Sequence, residues 1–173
     1  ELMLERLSKS KLIDEIIIAT TINKNDDPIF ELSKKLGYKV FRGNEKDCLD
    51  RHYQAIKKCN GDFICKITSD CPLIDPEIVD KVIKYYFENE KKFDYVSNVH
   101  PATFPDGLDV EMFSLATLER SWKEAKNQDE REHTTTYMWK NPLIFRIGSV
   151  TMPSGKNLFK KERWTVDYPE DFE

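Results

Sequence analysis

Two aspartates, Asp70 and Asp167, have the residue type and the position suited to metal and phosphate chemistry. Asp70 follows the apolar run 62–67, which predicts a buried strand, and Asp167 follows the shorter run 164–166. Ligands of open α/β sheets bind outside the carboxyl ends of the strands, so we expect both carboxylates at one sheet edge. Two carboxylates with open water positions are typical of a Mg²⁺ site that faces a phosphate. Because aspartate is also common in turns and helix caps, a purely structural role stays open.

The elements that must position these aspartates alternate regularly through the first half of the chain. Apolar runs without alternation predict buried strands, and apolar residues at helical spacing predict helices between them. We predict Asp27 and Asp75 as helix N-caps, and Gly37 and Asn60 as residues where helices end. This rhythm predicts an α/β fold with a mostly parallel sheet and helices on both faces. The predicted strands span 14–20, 38–41 and 63–67, and the predicted helices span 2–10, 28–36, 47–59 and 76–90.

The second half of the chain departs from this rhythm. A predicted strand at 94–99 leads into a proline-rich loop over 100–107, and the alternation of apolar and acidic residues over 108–113 is typical of a half-exposed strand. We expect a single domain over 1–173 in which residues 100–150 form a flap on the same sheet. The remaining predicted elements are helices at 114–126 and 129–140 and strands at 143–150 and 164–166.

Composition excludes several classes of protein. The chain has 173 residues, of which 39% are hydrophobic and 34% charged, with a net charge of −4. Basic and acidic residues are interleaved, so no surface for nucleic acid is indicated. No apolar run approaches the roughly 20 residues of a membrane span. The four cysteines form no C-x-x-C pair, which favours reduced thiols and a cytoplasmic location. No Ser-His-Asp or Cys-His arrangement is suggested by the sequence.

Five segments resemble, in order, those of the cytidylyltransferase family. The closest branch is the spore coat polysaccharide protein F (SpsF) type, which is related to the CMP-KDO and acylneuraminate cytidylyltransferases. The resemblance covers nearly the whole chain and is specific only when its segments are taken together. The segments are 40–51, 66–75, 95–98, 104–111 and 131–133.

The resemblance implies a Rossmann-like, GT-A type three-layer fold that uses CTP and Mg²⁺. A sugar hydroxyl attacks the α-phosphate, so that a CMP-sugar forms and pyrophosphate leaves. By position, Asp70 and Asp167 match the metal and catalytic aspartates of the family. The residues that match its nucleotide segments are Arg42, Gly43, Asp50, Arg51, Thr68 and Ser69, and those that match its sugar side are Asp106, Asp109, Glu111, Arg131 and His133.

Simpler roles remain open for most of these residues. Arg51 suits phosphate or a base edge, but a helix-surface salt bridge is as plausible. Gly43 is as plausible as a plain turn glycine. The acids Asp109 and Glu111 share one face of their strand, where they can bind sugar hydroxyls or be solvated. His133 is equally plausible as a structural histidine.

The resemblance also implies partners and a length. Members of the family begin with a strand and a Gly/Arg/Lys-rich phosphate loop that would precede Glu1. We therefore expect this chain to be a fragment, cut at both ends, that is inactive alone. The expected partners are CTP, an acidic or nonulosonic sugar destined for surface polysaccharide, and a second copy in a homodimer, with no nucleic acid or membrane.

Two other functions remain open. A GT-A glycosyltransferase that consumes a nucleotide sugar would share this fold, but such enzymes usually carry a D-x-D metal motif. This chain has none after its central strand 63–67. A non-catalytic Rossmann-like binding protein would also fit the fold, although the presence of both Asp70 and Asp167 argues against it.

Overall fold

Two β-sheets carry the fold, which a computed structural model describes over residues 1–172. The chain divides into two units. The first unit comprises Glu1–Ile13, Cys65–Phe113 and the stretch from Arg146 onward, and the second comprises Asp14–Ile64 and Ser114–Phe145. The predicted α/β class is confirmed, with parallel strand pairs in both sheets. The single domain expected over 1–173 stays a prediction, and Glu173 lies outside the described residues.

The helices and strands alternate through most of the chain. Strands β1 to β6 span Ile17–Thr21, Lys39–Gly43, Phe63–Lys66, Tyr95–Ser97, Glu111–Ser114 and Ile147–Ser149. Helices α1 to α7 span Leu2–Leu7, Asp27–Lys35, Cys48–Cys59, Pro76–Glu88, Leu115–Glu124, Gln128–Glu132 and Thr136–Lys140. Short 3₁₀ helices occupy Lys24–Asp26 and Pro169–Phe172. None of the helices within residues 1–172 has the length and apolar character needed to cross a membrane.

The four-stranded sheet has the order β3-β5-β4-β6. Its strand β4 pairs antiparallel with β5, with Tyr95 opposite Phe113, and parallel with β6, with Tyr95 opposite Ile147. Helix α4 packs on β4 and buries Val79 and Val82 completely. This core holds the strand ends from which the loops carrying Asp70, Asp106 and Asp109 leave the first unit's sheet.

The second unit is built on the parallel pair β1 and β2, against which helix α3 packs. Leu49 and Tyr53 of α3 are buried, and the Tyr53 ring stacks on Trp122 of α5 with ring centroids 4.5 Å apart. Apolar side chains at helical spacing therefore turn the inner face of α3 toward the core of this unit. The start of α3, where the predicted nucleotide residues lie, is fixed by that packing.

Helix caps explain several of the element boundaries. The Asp75 side chain accepts a hydrogen bond from the backbone N–H of Glu77, as the predicted cap of α4 requires. Helix α3 ends at Asn60, whose positive φ of 53° is the left-handed conformation expected at such a position. The predicted cap at Asp27 is displaced by one residue, because α2 begins at Asp27 itself and Asp26 occupies the N-cap position.

Three predictions about the second half were wrong. The run 108–113 is not half-exposed, since Val110, Glu111 and Phe113 are all buried. The run 164–166 forms no strand, and the nearest pairing is an isolated bridge between Asp106 and Arg163. The two helices predicted over 114–126 and 129–140 are three shorter ones, α5, α6 and α7.

Candidate functional site

A backbone hydrogen bond brings the segments of Asp70 and Asp167 together within the first unit. The N–H of Val166 donates to the carbonyl oxygen of Asp70 at 2.9 Å. Asp70 lies in the turn after β3, and Asp167 immediately follows Val166 in sequence. Residues 97 positions apart in the chain are therefore held on neighbouring backbone segments, as convergence on one edge requires.

The loop that carries Asp106 is fastened to the same segment. The Asp106 N–H donates to the backbone carbonyl oxygen of Glu162 at 2.9 Å, and the Trp164 N–H donates to the Asp106 carbonyl oxygen at 2.7 Å. Gly107 follows with a φ of 101°, and an added Cβ there would lie 2.8 Å from the carbonyl carbon of Trp164. A glycine is needed at this point both for the left-handed backbone and for the close approach.

Arg163 organises the carboxylates at the end of the described chain. Its guanidinium contacts Asp167 Oδ2 at 3.1 Å and forms an ion pair with Asp171. Thr165 donates to the same Oδ2 atom at 2.6 Å. The hydrogen bonds from Arg163 and from two backbone N–H groups hold the pKa of Asp171 well below its usual range. Asp167 is thus oriented through one oxygen, which leaves Oδ1 outside the described hydrogen bonds.

Negative charge is concentrated around Asp109. Burial, followed by the charges of Asp106 and Glu111, raises the pKa of Asp109 to about 6. Burial likewise raises the pKa of Asp106, and the charges of Asp167 and Asp70 add to the effect. These carboxylates influence each other because they are close and only partly solvated. Such a cluster favours either a bound proton or a cation.

Glu111 is a buried member of an ion pair, which corrects the view that it is a solvated strand residue. Its carboxylate binds the Lys66 ammonium from β3 and accepts a hydrogen bond from the Tyr95 hydroxyl at 2.5 Å. A charge buried this deeply requires partners. Glu111, on β5, finds them on the two strands beside it, β3 and β4. The pair fixes the position of β3 directly before Asp70.

The two predicted nucleotide residues before Asp70 differ in their surroundings. The Thr68 hydroxyl lies 3.2 Å from the sulfur of Cys71, which in turn contacts Asp70 Oδ1 at 3.5 Å. Ser69 is exposed at the tip of the turn. Burial of the Cys71 thiol raises its pKa to about 12, so this cysteine is a neutral donor that steadies the turn.

In the second unit, Arg42 and Gly43 lie at the end of β2. Arg42 donates to the backbone carbonyls of Thr21 and Asn23, each at 2.7 Å, and pairs with Asp27. Its described contacts therefore hold the loop after β1. An added Cβ on Gly43 would lie 3.0 Å from the Cγ of Arg51, so this glycine lets the Arg51 side chain lie against β2.

Asp50 and Arg51 are both engaged at the start of α3. Asp50 Oδ1 accepts from the Trp122 indole at 2.8 Å. Arg51 donates to the carbonyl oxygens of Asn44 at 2.7 Å and Glu45 at 3.3 Å. Arg51 therefore holds the loop before α3, and the helix-surface salt bridge considered for it is not among its described contacts.

Arg131 and His133 belong to the second unit, whereas the other three predicted sugar-side residues belong to the first. Arg131 pairs with Asp47 at 2.6 Å and donates to the Trp122 carbonyl at 2.7 Å. His133 is exposed at the C-terminal end of α6. The described contacts of Arg131 thus join α6 to the start of α3, and its predicted role toward a sugar stays a prediction.

Three features of these sites were missed from the sequence. Two of them are the ion pairs of Lys66 and of Arg163 with the carboxylates described above, which the local pattern did not indicate. The third is a contact between Cys48 and His52, whose Sγ and Nδ1 atoms lie 3.5 Å apart. Their spacing of four residues on one helix face was the signal that could have revealed it.

Solved structures identify the class of protein that this fold represents. A cytidylyltransferase from Leptospira borgpetersenii serovar Hardjo-bovis superposes with a TM-score of 0.92 and is 35% identical; the match covers 99% of this chain and 71% of that one. A CMP:2-keto-3-deoxy-manno-octonic acid synthetase in complex with CTP superposes with a TM-score of 0.63 at 12% identity, over 87% of this chain and 79% of that one. The second likeness concerns the fold alone. The fold is the Rossmann-like one of nucleotidyltransferases.

Sequence comparison assigns the family. A family model described as Cytidylyltransferase matches residues 1–172, and the chain therefore belongs to the cytidylyltransferase family. An uncharacterised protein of Methanocaldococcus jannaschii is 45% identical over 99% of this chain and 68% of its own length. The spore coat polysaccharide biosynthesis protein SpsF of Bacillus subtilis is 30% identical over 92% of this chain, which spans 65% of that relative. The resemblance noted from the sequence is confirmed.

Proposed function

We propose that this chain carries the metal and phosphate side of a CTP-dependent cytidylyltransferase that transfers CMP to an acidic, nonulosonic-type sugar and releases pyrophosphate. The observation that carries the proposal is the hydrogen bond from Val166 to Asp70, because it joins the segments of the two aspartates in a chain of this family. Asp70 and Asp167 are assigned as the catalytic and metal-binding pair.

The donor set of the first unit suits Mg²⁺, which prefers oxygen ligands. Within residues 1–172, no group of three or more His, Cys, Asp or Glu side chains is arranged to hold a metal ion. Mg²⁺ is usually held by only one or two carboxylates, with water and substrate phosphates in the other positions. Asp70 and Asp167 are such a pair, and the raised pKa values of Asp106 and Asp109 indicate negative charge that a cation would offset. When bound, the ion would neutralise charge on the phosphates.

The protein's own contribution is mainly to position groups. The Glu111 carboxylate holds Lys66, and Arg163 holds Asp167, so that two cations keep the acidic residues in fixed places. Prearranged groups of this kind accelerate phosphoryl-type transfer by orientation and by charge stabilisation rather than through a covalent intermediate. Asp106, Asp109 and Glu111 are assigned to the side of the sugar.

Arg51 and five further residues are assigned to nucleotide binding. Arg51 lies at the N-terminal turn of α3, where a guanidinium can contact a phosphate or a base edge. The similarity to a synthetase whose structure contains CTP, and to a spore coat polysaccharide protein, supports CTP and a polysaccharide sugar as substrates. The further nucleotide residues are Arg42, Gly43, Asp50, Thr68 and Ser69, and Arg131 and His133 are assigned to the sugar.

The proposal includes a setting for the enzyme. The four free cysteines are in keeping with a reducing compartment, and we assign the protein to the cytoplasm. A homodimer is proposed on the family resemblance. Neither nucleic acid nor membrane is assigned as a partner.

Nucleotide-dependent thermal stabilisation tests the function. Melting temperatures are measured for the 173-residue chain, and for the full-length protein that its gene encodes, with CTP, UTP, GTP or ATP and with or without Mg²⁺. We expect the full-length protein to be stabilised by CTP with Mg²⁺ and to release pyrophosphate when a sugar acid is added. Stabilisation by a nucleotide sugar instead would indicate a glycosyltransferase.

Matched variants assign the response to the proposed pair. Asp70→Asn and Asp167→Asn remove one carboxylate charge each, and both should abolish the Mg²⁺-dependent part of the stabilisation. Asp62→Asn makes the same chemical change at an exposed position and should retain it. If all three variants respond to CTP and Mg²⁺ as the parent does, the assignment of the metal pair is wrong.

A further inference from the structure

Cys48, at the first turn of α3, lies in a cluster of polar side chains in the second unit. Its sulfur is 3.2 Å from Arg51 Nη2, 3.4 Å from the Thr134 hydroxyl and 3.5 Å from His52 Nδ1. The cysteine is half-buried. Three polar groups from two separate segments of the chain thus converge on one thiol.

The hydrogen-bond directions in this cluster can be assigned. His52 Nδ1 lies 2.8 Å from the Cys48 carbonyl oxygen, which can only accept, so Nδ1 carries the hydrogen. The Thr134 hydroxyl, 3.0 Å from that nitrogen, therefore cannot donate to it and donates to the sulfur instead. Arg51 is a permanent donor and a permanent cation. The sulfur accordingly receives hydrogen bonds from at least two groups, and both bonds favour its anionic form.

The unused capacity of Arg51 points to an additional acceptor. Its Nε is buried without a hydrogen-bond partner among the described residues, although the rest of the guanidinium binds two carbonyl oxygens and the sulfur. Buried donors are rarely left unsatisfied. An oxygen atom added to the Cys48 sulfur would bring an acceptor to the guanidinium that already contacts that sulfur.

The other cysteines provide a contrast. Burial raises the pKa of Cys65 and of Cys71 to about 12, so both are neutral thiols at physiological pH. At Cys48, burial acts in the same direction but is outweighed by His52, Thr134 and Arg51, so that its pKa falls to about 6. Cys59 is half-buried like Cys48 and has no thiol hydrogen bond among the described residues, which makes it a matched control.

We propose that Cys48 is a site of covalent modification by hydroperoxides, held as a thiolate by hydrogen bonds from Arg51 and Thr134 and lying beside the His52 imidazole. The sulfur attacks the terminal oxygen of the hydroperoxide, an S–O bond forms and the O–O bond breaks. The leaving alkoxide or hydroxide takes a proton from solvent. The cysteine is oxidised to a sulfenic acid, and the peroxide is reduced to an alcohol or water.

Reactivity is measured on the whole chain by mass spectrometry, with hydrogen peroxide and a sulfenic-acid trap, and with iodoacetamide as a second electrophile. At pH 6 a thiol of pKa about 6 is half ionised. A free cysteine of pKa about 8.5 is roughly 0.3% ionised at that pH. After correction for the lower nucleophilicity of the weaker base, Cys48 should be alkylated on the order of tenfold faster than free cysteine. Cys48 should also be alkylated faster than Cys59 at the same pH, and it should be the cysteine that carries the sulfenic-acid adduct.

Two further measurements make the result decisive. Thiolate absorbance near 240 nm should titrate with a midpoint near 6 in the parent and lose that step in Cys48→Ser but not in Cys59→Ser. Thr134→Val removes one donor while keeping the side-chain shape, and it should slow Cys48 alkylation at pH 6 several-fold, with folding checked by circular dichroism. Equal alkylation rates for Cys48 and Cys59 at pH 6, or no absorbance step below pH 8, would overturn the proposal. None of these readouts requires nucleotide activity.

Discussion

Replacing Glu111 by glutamine tests whether the buried ion pair fixes the first unit. The Lys66 and Glu111 side chains are 14% and 8% exposed, so the scale for buried pairs applies rather than the scale for surface pairs. Removing one member of a buried pair typically costs about 3–5 kcal/mol in the free energy of unfolding. In Glu111→Gln the amide oxygen can still accept from the Tyr95 hydroxyl, so we expect the lower end, about 3 kcal/mol.

The measurement is urea unfolding followed by circular dichroism, supported by thermal melting. For a chain of this size, 1 kcal/mol corresponds to roughly 2–4 °C, so a loss of about 3 kcal/mol lowers the melting temperature by roughly 6–12 °C. Lys66→Met should cost a similar amount because it leaves the Glu111 carboxylate without the ammonium. The double variant should cost clearly less than the sum of the two, since it removes both charges together.

An exposed pair provides the matched control. Lys39 and Glu15 lie 2.7 Å apart but are 59% and 39% exposed, so Glu15→Gln should cost less than about 1 kcal/mol. If Glu111→Gln and Lys66→Met each cost no more than this control, and their costs add, the Lys66–Glu111 pair does not support the sheet as argued.

Three further predictions concern the loops and caps of the sites. Because folding raises the pKa of Asp109 to about 6, the native state binds the extra proton, and stability falls as pH rises from about 4 through about 6. In urea titrations without metal, Asp109→Asn should reduce this pH-dependent fall in the free energy of unfolding by roughly 2 kcal/mol. An unchanged pH profile in the variant would refute the prediction. Gly107→Ala should cost at least 2 kcal/mol because its Cβ meets Trp164 backbone, whereas Gly155→Ala, with nothing within 4 Å, should cost about 1 kcal/mol in the same assay. Asp47→Asn keeps the cap of α3 and should cost about 1 kcal/mol, while Asp47→Ala also loses the cap and should cost about 2–3 kcal/mol; equal unfolding free energies would contradict this.

The sequence predicted best the features that depend on neighbouring residues. The cap at Asp75 and the left-handed end of α3 at Asn60 are set by interactions within a few residues, and both occur as expected. Strands β1 to β3 were also located from their apolar runs, but their predicted burial was wrong, because most of their residues are only half-buried. The order of the strands and the antiparallel pairing of β4 with β5 depend on contacts far apart in sequence, and local patterns do not contain them.

The errors have the same physical origin. An acid within an alternating run was expected either to bind sugar hydroxyls or to be solvated, yet Glu111 is buried because Lys66, 45 positions earlier, neutralises it. Residues 164–166 have the composition of a strand. Two of their backbone N–H groups instead donate hydrogen bonds to the carbonyl oxygens of Asp70 and Asp106, which lie in loops. In both cases a partner that is remote in sequence decides the outcome, and single-sequence periodicity does not reveal remote partners.

The contacts that fold the first unit also place several negatively charged side chains close together. Fastening the Asp106 loop and the Asp70 turn to one segment brings carboxylates together, and burial, followed by the resulting repulsion, raises the pKa of Asp109. The two nearby cations do not offset this charge fully, since Lys66 is bound to Glu111 and Arg163 to carboxylates near the end of the described chain. A divalent cation bound there should therefore stabilise the fold as well as serve the proposed transfer. The melting temperature should accordingly rise with Mg²⁺ even before a nucleotide is added, and it should rise less in Asp70→Asn; a melting temperature independent of Mg²⁺ up to millimolar concentrations would show that the cluster holds protons rather than a metal ion.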